Sequence, residues 1–397
     1  MYIFYLLLGI GLVGLASSTV FLFLTILGAL KFHRDARRAR ASCPKDSEFP
    51  AVSLLKPIHG LDARLKENVE SFYLQHYGNY EIIFAADTED DAALAVVREI
   101  AARYPKVPTR TIVNGKPPWP NPPAWSFHCM EKIAAYDILV TSDSDVEVQP
   151  DYLREVVAPL LDPKVGMLTC VYRGKNAGGF WSGMDAIGMS VEMTAGVLVA
   201  NMLEGMKFGL GPTIVVRKDS LAKIGGYEGI GDYFANDFII GNFIEKAGYK
   251  VVLSEHIIDH VVPPMTFKKM WERQVRWAKS TRYSRPKGHF GTGLIFSVPY
   301  GIFACLGMAG LGYPLIGAAL LGGAVLNRIV ECLVVGWGIV RDPRAIRSPW
   351  LYPIRDLIGF IVWCASYLSK GSVWRDSTYK LLEGGRIVRN TPAVSNK

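Results

Sequence analysis

Residues 136–148 read YDILVTSDSDVEV, and this stretch sets the fold that we expect for the chain. Its apolar part, residues 138–140, has the length and composition of a short buried strand that leads into Asp143, Ser144 and Asp145. Open α/β sheets bind their ligands at the C-terminal ends of their strands. Two carboxylates on alternate residues there can share one hard cation, Mg²⁺ or Mn²⁺, which prefers oxygen ligands and bridges to a diphosphate.

This pair of aspartates is by itself a weak signal, because Asp-x-Asp also occurs by chance and in solvated turns. The neighbouring segments supply the context. Strands are predicted at residues 51–56, 81–86, 109–113 and in the run that ends at Asp143, with helices at 61–75 and 91–104. This alternation predicts an α/β domain, residues 51–266, with a mostly parallel sheet. Asp87, directly after the second strand, is expected on the same edge as Asp143.

The first 30 residues have the composition of a membrane segment. They contain no charged side chain and are long enough to cross a hydrocarbon core of about 30 Å. No basic segment precedes them, so we interpret residues 1–30 as a retained transmembrane anchor rather than a secretory signal. The linker that follows, residues 31–50, is basic and is expected to stay cytoplasmic. Its basic residues begin with Lys31, Arg34, Arg37, Arg38 and Arg40.

The last third of the chain is also expected to contact a membrane. Residues 267–285 predict an amphipathic basic helix suited to an anionic membrane surface. We interpret residues 290–370 as membrane segments, because 290–327 carry no charge and a second apolar run continues to about residue 340. Arg328 and Glu331 lie three apart in that run, so they must pair or face protein.

The remaining C-terminal residues are apolar and then basic. Residues 350–369 are apolar apart from Arg355 and Asp356, and we interpret them as re-entrant or interfacial, with a full span as the alternative. Residues 371–397 are expected to form a basic cytoplasmic tail. The net charge of +8 is then explained by membrane flanks, and no nucleic-acid partner is predicted. The six cysteines form no C-x-x-C pair and are interpreted as reduced packing residues.

Two stretches of the α/β domain have an unusual composition. Residues 116–125, KPPWPNPPAW, are too rich in proline for regular structure and predict a shaped loop over the ligand. Residues 178–209 are rich in methionine, which is typical of ordinary core and also of an adaptable surface that meets lipid or an apolar substrate. The methionines are Met184, Met189, Met193, Met202 and Met206.

Two pairs of polar residues permit both a functional and a structural interpretation. His256 and His260 are four apart, but their segment predicts a strand and lacks the carboxylate of a zinc H-E-x-x-H motif. We therefore interpret both as core or surface histidines. Asn236 and Asp237 open a predicted helix, where a carboxylate can act as a cap, and a catalytic carboxylate is the alternative for Asp237.

In their order and spacing these segments resemble the membrane-bound GT-A glycosyltransferases, and within them the ceramide glucosyltransferase group. The resemblance covers residues 50–285 and the membrane layout around them. Four motifs carry it. They are FAADTEDD with Asp87, TSDSDV with Asp143 and Asp145, FANDF with Asp237, and RQVRW with Arg273, Arg276 and Trp277.

The resemblance implies a role for each acidic residue. Asp87 is expected to contact the nucleotide base, and Asp237 to be the catalytic base. Asp143 and Asp145 are expected to bind the divalent metal, Mg²⁺ or Mn²⁺, and Asp143 also the nucleotide sugar. The fold that the resemblance implies is GT-A, which contains a Rossmann-like, mostly parallel sheet.

The RQVRW motif is expected to close the same site from the interfacial helix. By the resemblance, Arg273 and Arg276 bind phosphate oxygens of the nucleotide sugar, and Trp277 stacks on the base or the acceptor. The chain departs from the family pattern in two places. Pro123 stands where a lysine is usual, which removes one expected neutraliser of the diphosphate, and Asn236 replaces the first acid of a common acidic pair.

The implied reaction is an inverting transfer of a sugar, glucose in the first place, from a UDP-sugar to a hydroxyl of a membrane lipid such as ceramide. The implied protein is an integral membrane protein with a cytoplasmic catalytic domain. A single base implies inversion, since retention needs a second carboxylate about 5 Å away. A hopanoid-modifying transferase that uses UDP-N-acetylglucosamine has closely similar motifs and is an alternative. A polysaccharide synthase is a further one, but it needs more spans than the C-terminal residues supply, and a non-catalytic scaffold would not need Asp237 and Arg276 together.

Overall fold

The centre of the molecule is one mixed, mostly parallel sheet of eight strands. The computed structural model describes residues 1–41, 44, 48–368, 371–374 and 377–389. The strands are β1 Val52–Pro57, β2 Tyr80–Ala86, β3 Thr109–Val113, β4 Ile138–Ser142, β5 Val146–Glu147, β6 Val165–Asn176, β7 Thr213–Arg217 and β8 Lys250–Val262. They lie in the order β3-β2-β1-β4-β7-β6-β8-β5, with β1 to β4 parallel and β7 antiparallel to both of its neighbours.

The apolar runs that predicted the first strands contribute to two cores. In β2, Ile82 and Phe84 pack on one face of the sheet, while Ile83 and Ala85 pack on the other. Helices cover both faces, which explains why these strands are apolar at nearly every position. The helices through this region are α1 Tyr2–Ala41, α2 Leu65–Ser71, α3 Ala92–Arg103, α4 Pro122–Ile133, α5 Tyr152–Val157, α6 Phe180–Gly188, α7 Thr194–Glu204, α8 Lys218–Lys223 and α9 Asn236–Lys246.

The proline-rich stretch differs from its prediction. Residues 116–125 were expected to form only a loop, and this expectation is wrong because α4 begins at Pro122. Pro122 and Pro123 occupy the first helical positions, where the missing N–H groups have no intrahelical partner to lose. The side chain of Asn121 accepts a hydrogen bond from the Ala124 N–H at 3.0 Å and so caps the helix.

Three helical segments are long and apolar enough to cross a membrane, by length and composition, within the described residues. They are α1, residues Phe180–Glu204 and residues Pro314–Trp337, and a bent pair of helices, Pro286–Gly293 with Val298–Gly310, makes a fourth candidate. The C-terminal helices are α10 Phe267–Ser284, α11 Pro286–Gly293, α12 Val298–Gly310, α13 Pro314–Glu331, α14 Arg344–Arg347 and α15 Leu351–Ala365.

Much of the methionine-rich run is core. Met184, Met189 and Met206 are each less than a tenth exposed, as the core interpretation predicts. Between α6 and α7 the helix widens into a π-helical turn at Met189–Met193. Although this segment has the composition of a span, 61% of its most apolar window is buried inside the protein.

Helix α1 is longer than the predicted anchor. It continues through the basic residues to Ala41, so the expected linker 31–50 is helical in its first part, and residues 42–43 and 45–47 lie outside the described chain. Lys31 and Asp35 pair one turn apart at 2.6 Å and support this extension. Small residues face its neighbours. A side chain on Gly28 would come within 3.0 Å of the Leu198 carbonyl of α7.

The charged residues of the apolar C-terminal region pair as predicted. Arg328 contacts Glu331 at 2.7 Å, and both are almost fully buried. The carboxylate of Asp356 in α15 accepts hydrogen bonds from the N–H groups of Ser297 and Val298, at 3.0 and 2.8 Å, and so satisfies the free N-terminus of α12. Helix α15 is therefore fixed to α12 by polar contacts within this region.

The expected basic tail contains a small sheet. Strands β9 Gly371–Trp374, β10 Ser377–Leu381 and β11 Ile387–Arg389 form an antiparallel sheet, whereas residues 369–370, 375–376 and 390–397 lie outside the described chain. The Ile387 N–H donates to the Asp232 carbonyl at 2.8 Å, and the Phe234 N–H donates to the Gly385 carbonyl at 2.9 Å. This sheet therefore docks on the loop that leads into α9.

Candidate active site

A cavity of about 910 Å³ opens at the carboxyl edge of the sheet. Its wall brings together six of the seven residues that the sequence nominated, which are Asp87, Asp143, Asp145, Arg273, Arg276 and Trp277. Asp87 follows β2, and the other two acids follow β4. Both strands run parallel to β1, which lies between them, so all three acids lie at one edge of the sheet. Helix α10 forms the opposite wall and supplies the arginines and the tryptophan.

The acid pair after β4 lies above a buried lysine. Lys56, in β1, is fully buried, and its ammonium donates to the Asp143 main-chain carbonyl at 2.7 Å and lies 3.6 Å from the centre of the Phe72 ring. Burial lowers the pKa of Lys56 to about 7, although nearby acids oppose this. Burial, followed by the charge of Asp145, raises the pKa of Asp143 to about 8. The paired acids thus favour an added cation.

The second aspartate contacts a histidine. Asp145 Oδ2 lies 3.4 Å from His260 Nε2, and Arg273 Nη2 lies 3.1 Å from the same nitrogen. His260 Nε2 accepts from the guanidinium in one tautomer and donates to the carboxylate in the other, so the ring lies between the two groups. Burial lowers the pKa of His260, which keeps the imidazole neutral. His260 is therefore a core histidine, as predicted, but one that joins an acid of the cavity to α10.

Its neighbour in sequence, His256, is structural. His256 is buried and pairs with Glu155 at 2.7 Å, and it does not line the cavity. No group of three or more His, Cys, Asp and Glu side chains suited to a metal occurs in the described residues. Asp143 and Asp145 stay the candidate metal ligands that the sequence nominated.

The acid pair fits the divalent metal that the sequence implied. Asp145 Oδ1 is buried and has no hydrogen-bond partner among the described residues, and Asp143 is disfavoured as a free anion. Mg²⁺ or Mn²⁺ would be held by these two carboxylates, since hard cations prefer oxygen ligands. The bound ion would neutralise the charge of a diphosphate leaving group.

Arg273 in α10 is held by three groups. Its guanidinium lies 4.5 Å from the centre of the Trp277 ring, its Nε lies 3.6 Å from Asp185 Oδ2, and its Nη2 contacts His260. Arg276 lies on the same wall of the cavity one turn further along. Arg273 is therefore fixed before any ligand binds, which lowers the entropy lost on binding an anion.

The seventh nominated residue, Asp237, lies beside the cavity wall and not on it. It is the second residue of α9, and its carboxylate accepts a hydrogen bond from the Gly211 N–H at 2.9 Å. The cap position is Ala235, which has no capping side chain, while the Asp237 carboxylate accepts backbone hydrogen bonds from Phe238 and Gly211. Both the cap and the catalytic base stay predictions for Asp237. Burial raises the pKa of Asp237, while backbone hydrogen bonds oppose the shift.

A tyrosine connects Asp237 to the cavity. The buried hydroxyl of Tyr172, in β6, is close enough to Asp237, Arg273 and Asp143 for their charges to act on its pKa, which burial raises. Asp237 in turn raises the pKa of Asp143. These interactions place Asp237 within electrostatic reach of the acid pair.

Pro123 lies on the cavity wall where the resemblance would place a lysine. Lys279 of α10 lines the same cavity, and burial lowers its pKa. Neither Lys279 nor Lys56 was nominated from the sequence, and His260 was interpreted as a core or surface histidine, not as a cavity residue. A lysine inside the apolar run VSLLKP was the available signal for Lys56, whereas the others are brought in by tertiary packing.

The order of strands and the acid edge define the class of fold, which is GT-A. The structure of a mannosyltransferase from Pyrobaculum calidifontis, in complex with GDP-mannose and Mn²⁺, matches with a TM-score of 0.50 at 19% identity, over 89% of this chain and 99% of that one. The pattern of glycosyl transferase family 21 matches residues 16–387. The chain belongs to this family and is a glycosyltransferase.

Curated relatives agree with this assignment. Ceramide glucosyltransferase 1 of Caenorhabditis elegans is 25% identical over 384 residues, which cover 96% of this chain and 82% of that protein. Ceramide glucosyltransferase 3 of the same organism is 24% identical over 354 residues, which cover 87% and 75%. The likeness therefore includes the apolar C-terminal helices as well as the α/β domain.

Replacing Lys56 with methionine tests its role under the acid pair. We expect Lys56→Met to lower the Mn²⁺ concentration for half-maximal activity about tenfold, because the acid pair loses a neighbouring cation that competes with the metal. The melting temperature should stay equal or rise, since a buried charge is replaced by an apolar side chain of similar size. Metal titration and thermal unfolding measure the two effects. Unchanged metal dependence in a folded variant would contradict this role.

Proposed function

We propose that this protein is an inverting glycosyltransferase that moves a sugar, most readily glucose, from a UDP-sugar to a hydroxyl of a membrane lipid such as ceramide. The observation that carries this proposal is the meeting of Asp87, Asp143 and Asp145 with Arg273 and Arg276 in one cavity. Such a set of carboxylates and arginines suits a metal-bound nucleoside diphosphate. The names of the two curated relatives support a lipid acceptor.

In this proposal the donor binds along the carboxyl edge of the sheet. Asp87 receives the base, Asp143 and Asp145 would hold the metal that neutralises the diphosphate, and Arg273 and Arg276 bind phosphate oxygens. These charges are fixed in advance and so stabilise the negative charge that develops on the leaving UDP.

Asp237 acts on the acceptor side. It takes the proton from the lipid hydroxyl as that oxygen attacks the anomeric carbon from the face opposite UDP. Its raised pKa suits a general base, because a weakly basic carboxylate would gain little from accepting the proton. One displacement with one base inverts the configuration.

An exposed aromatic patch supports delivery of the acceptor from a membrane. Phe180 and Phe267 are 56% and 46% exposed, and Trp181 lies between them with ring centres 5.0 and 4.8 Å away. Lys268 and Lys269 lie beside the patch at the start of α10 and are exposed. Aromatic and lysine side chains together are typical of a membrane–water interface. Trp271 and Val275 are apolar residues of the amphipathic helix predicted at 267–285, and they line the cavity rather than the patch.

A direct assay tests the donor and acceptor. Purified protein in lipid is given UDP-glucose, UDP-N-acetylglucosamine or UDP-galactose with ceramide, a hopanoid or a soluble glycan, and the products are identified by mass spectrometry. We expect glucosylceramide as the main product. Preferred transfer of N-acetylglucosamine to a hopanoid would favour that alternative, and extension of the soluble glycan would favour a polysaccharide synthase.

The aromatic patch has its own prediction. Phe267→Glu should raise the KM for ceramide in vesicles about tenfold and change the KM for a short-chain soluble ceramide much less, because it weakens docking to the bilayer and leaves the chemistry untouched. Leu161→Glu changes an exposed apolar residue outside the patch in the same way. It serves as the control and should change neither KM. Equal effects of Phe267→Glu on both acceptors would contradict membrane delivery through this patch.

A further inference from the structure

A buried polar chain links the cavity helix to the apolar C-terminal region. Gln274 of α10 donates its amide to Asp185 of α6, and its carbonyl oxygen accepts from Arg355 Nη2 of α15 at 2.8 Å. Arg355 also pairs with Glu192 of the π-helical turn at 2.9 Å. Gln274, Asp185 and Arg355 are all less than a tenth exposed. Three segments far apart in sequence thus meet at one side chain.

The neighbours of the Gln274 side chain allow its amide group only one orientation. Asp185 offers only acceptors and Arg355 offers only donors, so the amide nitrogen must face the acid and the oxygen must face the guanidinium. A carboxylate at position 274 would face another carboxylate, and an apolar side chain would leave a buried charge without its partner. Glutamine is therefore matched to both neighbours.

Two glycines leave room for the Arg355 guanidinium beside the helix backbones. A side chain on Gly188 would come within 2.9 Å of Arg355 Nη2, and one on Gly359 within 3.1 Å of Arg355 Nη1. Both glycines lie in helices that pack against the charged group. The site for Arg355 is thus closed, which fixes the oxygen of Gln274 in place.

We propose that Gln274 is the positioning residue of α10, which holds the arginines of the cavity in register. Its neighbour Arg273 contacts Asp185 as well, at 3.6 Å, and Arg276 and Trp277 follow within one turn. A shift of α10 relative to α6 would therefore move the side chains that receive the diphosphate. This inference rests on the proposed function, because it assigns Gln274 to the binding of UDP.

Exchange of the amide and the acid tests the proposal. Gln274→Glu should raise the Kd for UDP in the presence of Mn²⁺ about tenfold, since two carboxylates then face each other. Asp185→Asn alone keeps an acceptor for the Gln274 amide but weakens the contact with Arg273. Its Kd for UDP should therefore rise less than that of Gln274→Glu. The double variant Asp185→Asn/Gln274→Glu restores a donor facing an acceptor at unchanged total charge. It should bind UDP within about threefold of the unchanged protein.

Calorimetric titration with UDP and Mn²⁺ and a melting temperature for each variant distinguish the outcomes. Rescue of the Gln274→Glu defect by Asp185→Asn supports the positioning role. A double variant whose Kd for UDP is as high as that of Gln274→Glu would overturn it. So would a Gln274→Glu protein with a lower melting temperature but an unchanged Kd for UDP. Absence of UDP binding by the unchanged protein would overturn the proposed function and this inference together.

Discussion

Replacement of Asp143 or Asp145 with alanine is expected to abolish sugar transfer while the protein stays folded. Each change removes one carboxylate of the acid pair, Asp143 and Asp145, that would hold a divalent metal in the cavity. Loss of one such electrostatic contact to a leaving group costs roughly 10²- to 10³-fold in rate, and loss of the metal itself costs more. Transfer rates at saturating Mn²⁺ measure the effect.

Folding should not suffer from these two changes. Burial and mutual repulsion already disfavour the charge on Asp143, so its removal relieves a cost in the metal-free protein. Thermal unfolding should show an equal or higher melting temperature. Asp90→Ala, an exposed acid in the loop after Asp87, is the matched control and should keep full activity. Near-normal transfer by both Asp143→Ala and Asp145→Ala would remove the acid pair from the mechanism.

The second large effect is expected at Asp237. Asp237→Asn should lower kcat roughly 10²- to 10⁴-fold, because the amide cannot accept the proton of the attacking hydroxyl. The Kd for UDP should change little, since Asp237 lies beside the cavity wall. Asparagine suits a helix N-terminus as well as aspartate, so a structural role would leave the Asn variant active.

The pH profile separates the two roles of Asp237 further. Burial raises the pKa of Asp237 above 3.8, so kcat should fall as the pH drops through that raised value and the carboxyl gains its proton. The residual activity of Asp237→Asn should lack this acidic limb. Asp232→Asn, an exposed acid in the preceding loop, is the control and should keep both the rate and the limb. A limb that persists in Asp237→Asn would assign the base to another group.

The parts of the fold that follow from local sequence were predictable. Buried strands are recognised in the sequence as apolar runs. Asp87, Asp143 and Asp145 come shortly after two of these runs, so parallel pairing predicts that they lie at one edge of the sheet. The ion pair of Arg328 and Glu331 was also a local inference, because three residues is close to one helical turn.

The parts that depend on distant segments were not predictable. Gln274 and Arg355 are 81 residues apart, and no local sequence pattern in either segment predicts that they are in contact. The start of α4 was missed because prolines that forbid a helix interior are favoured in its first turn. The sheet after residue 370 was missed because its basic composition outweighed its short apolar strands, of which Leu381 and Ile387 pack against Phe234.

The most direct test of the proposed reaction is the anomeric configuration of its product. Purified protein in vesicles that contain ceramide is incubated with UDP-α-glucose carrying ¹³C at the anomeric carbon, and the lipid product is examined by NMR. Direct displacement with Asp237 as the single base predicts a β-glucoside, formed in equal amount with UDP and absent in Asp237→Asn. An α-glucoside, or glucose released to water with the lipid unmodified, would contradict the proposal.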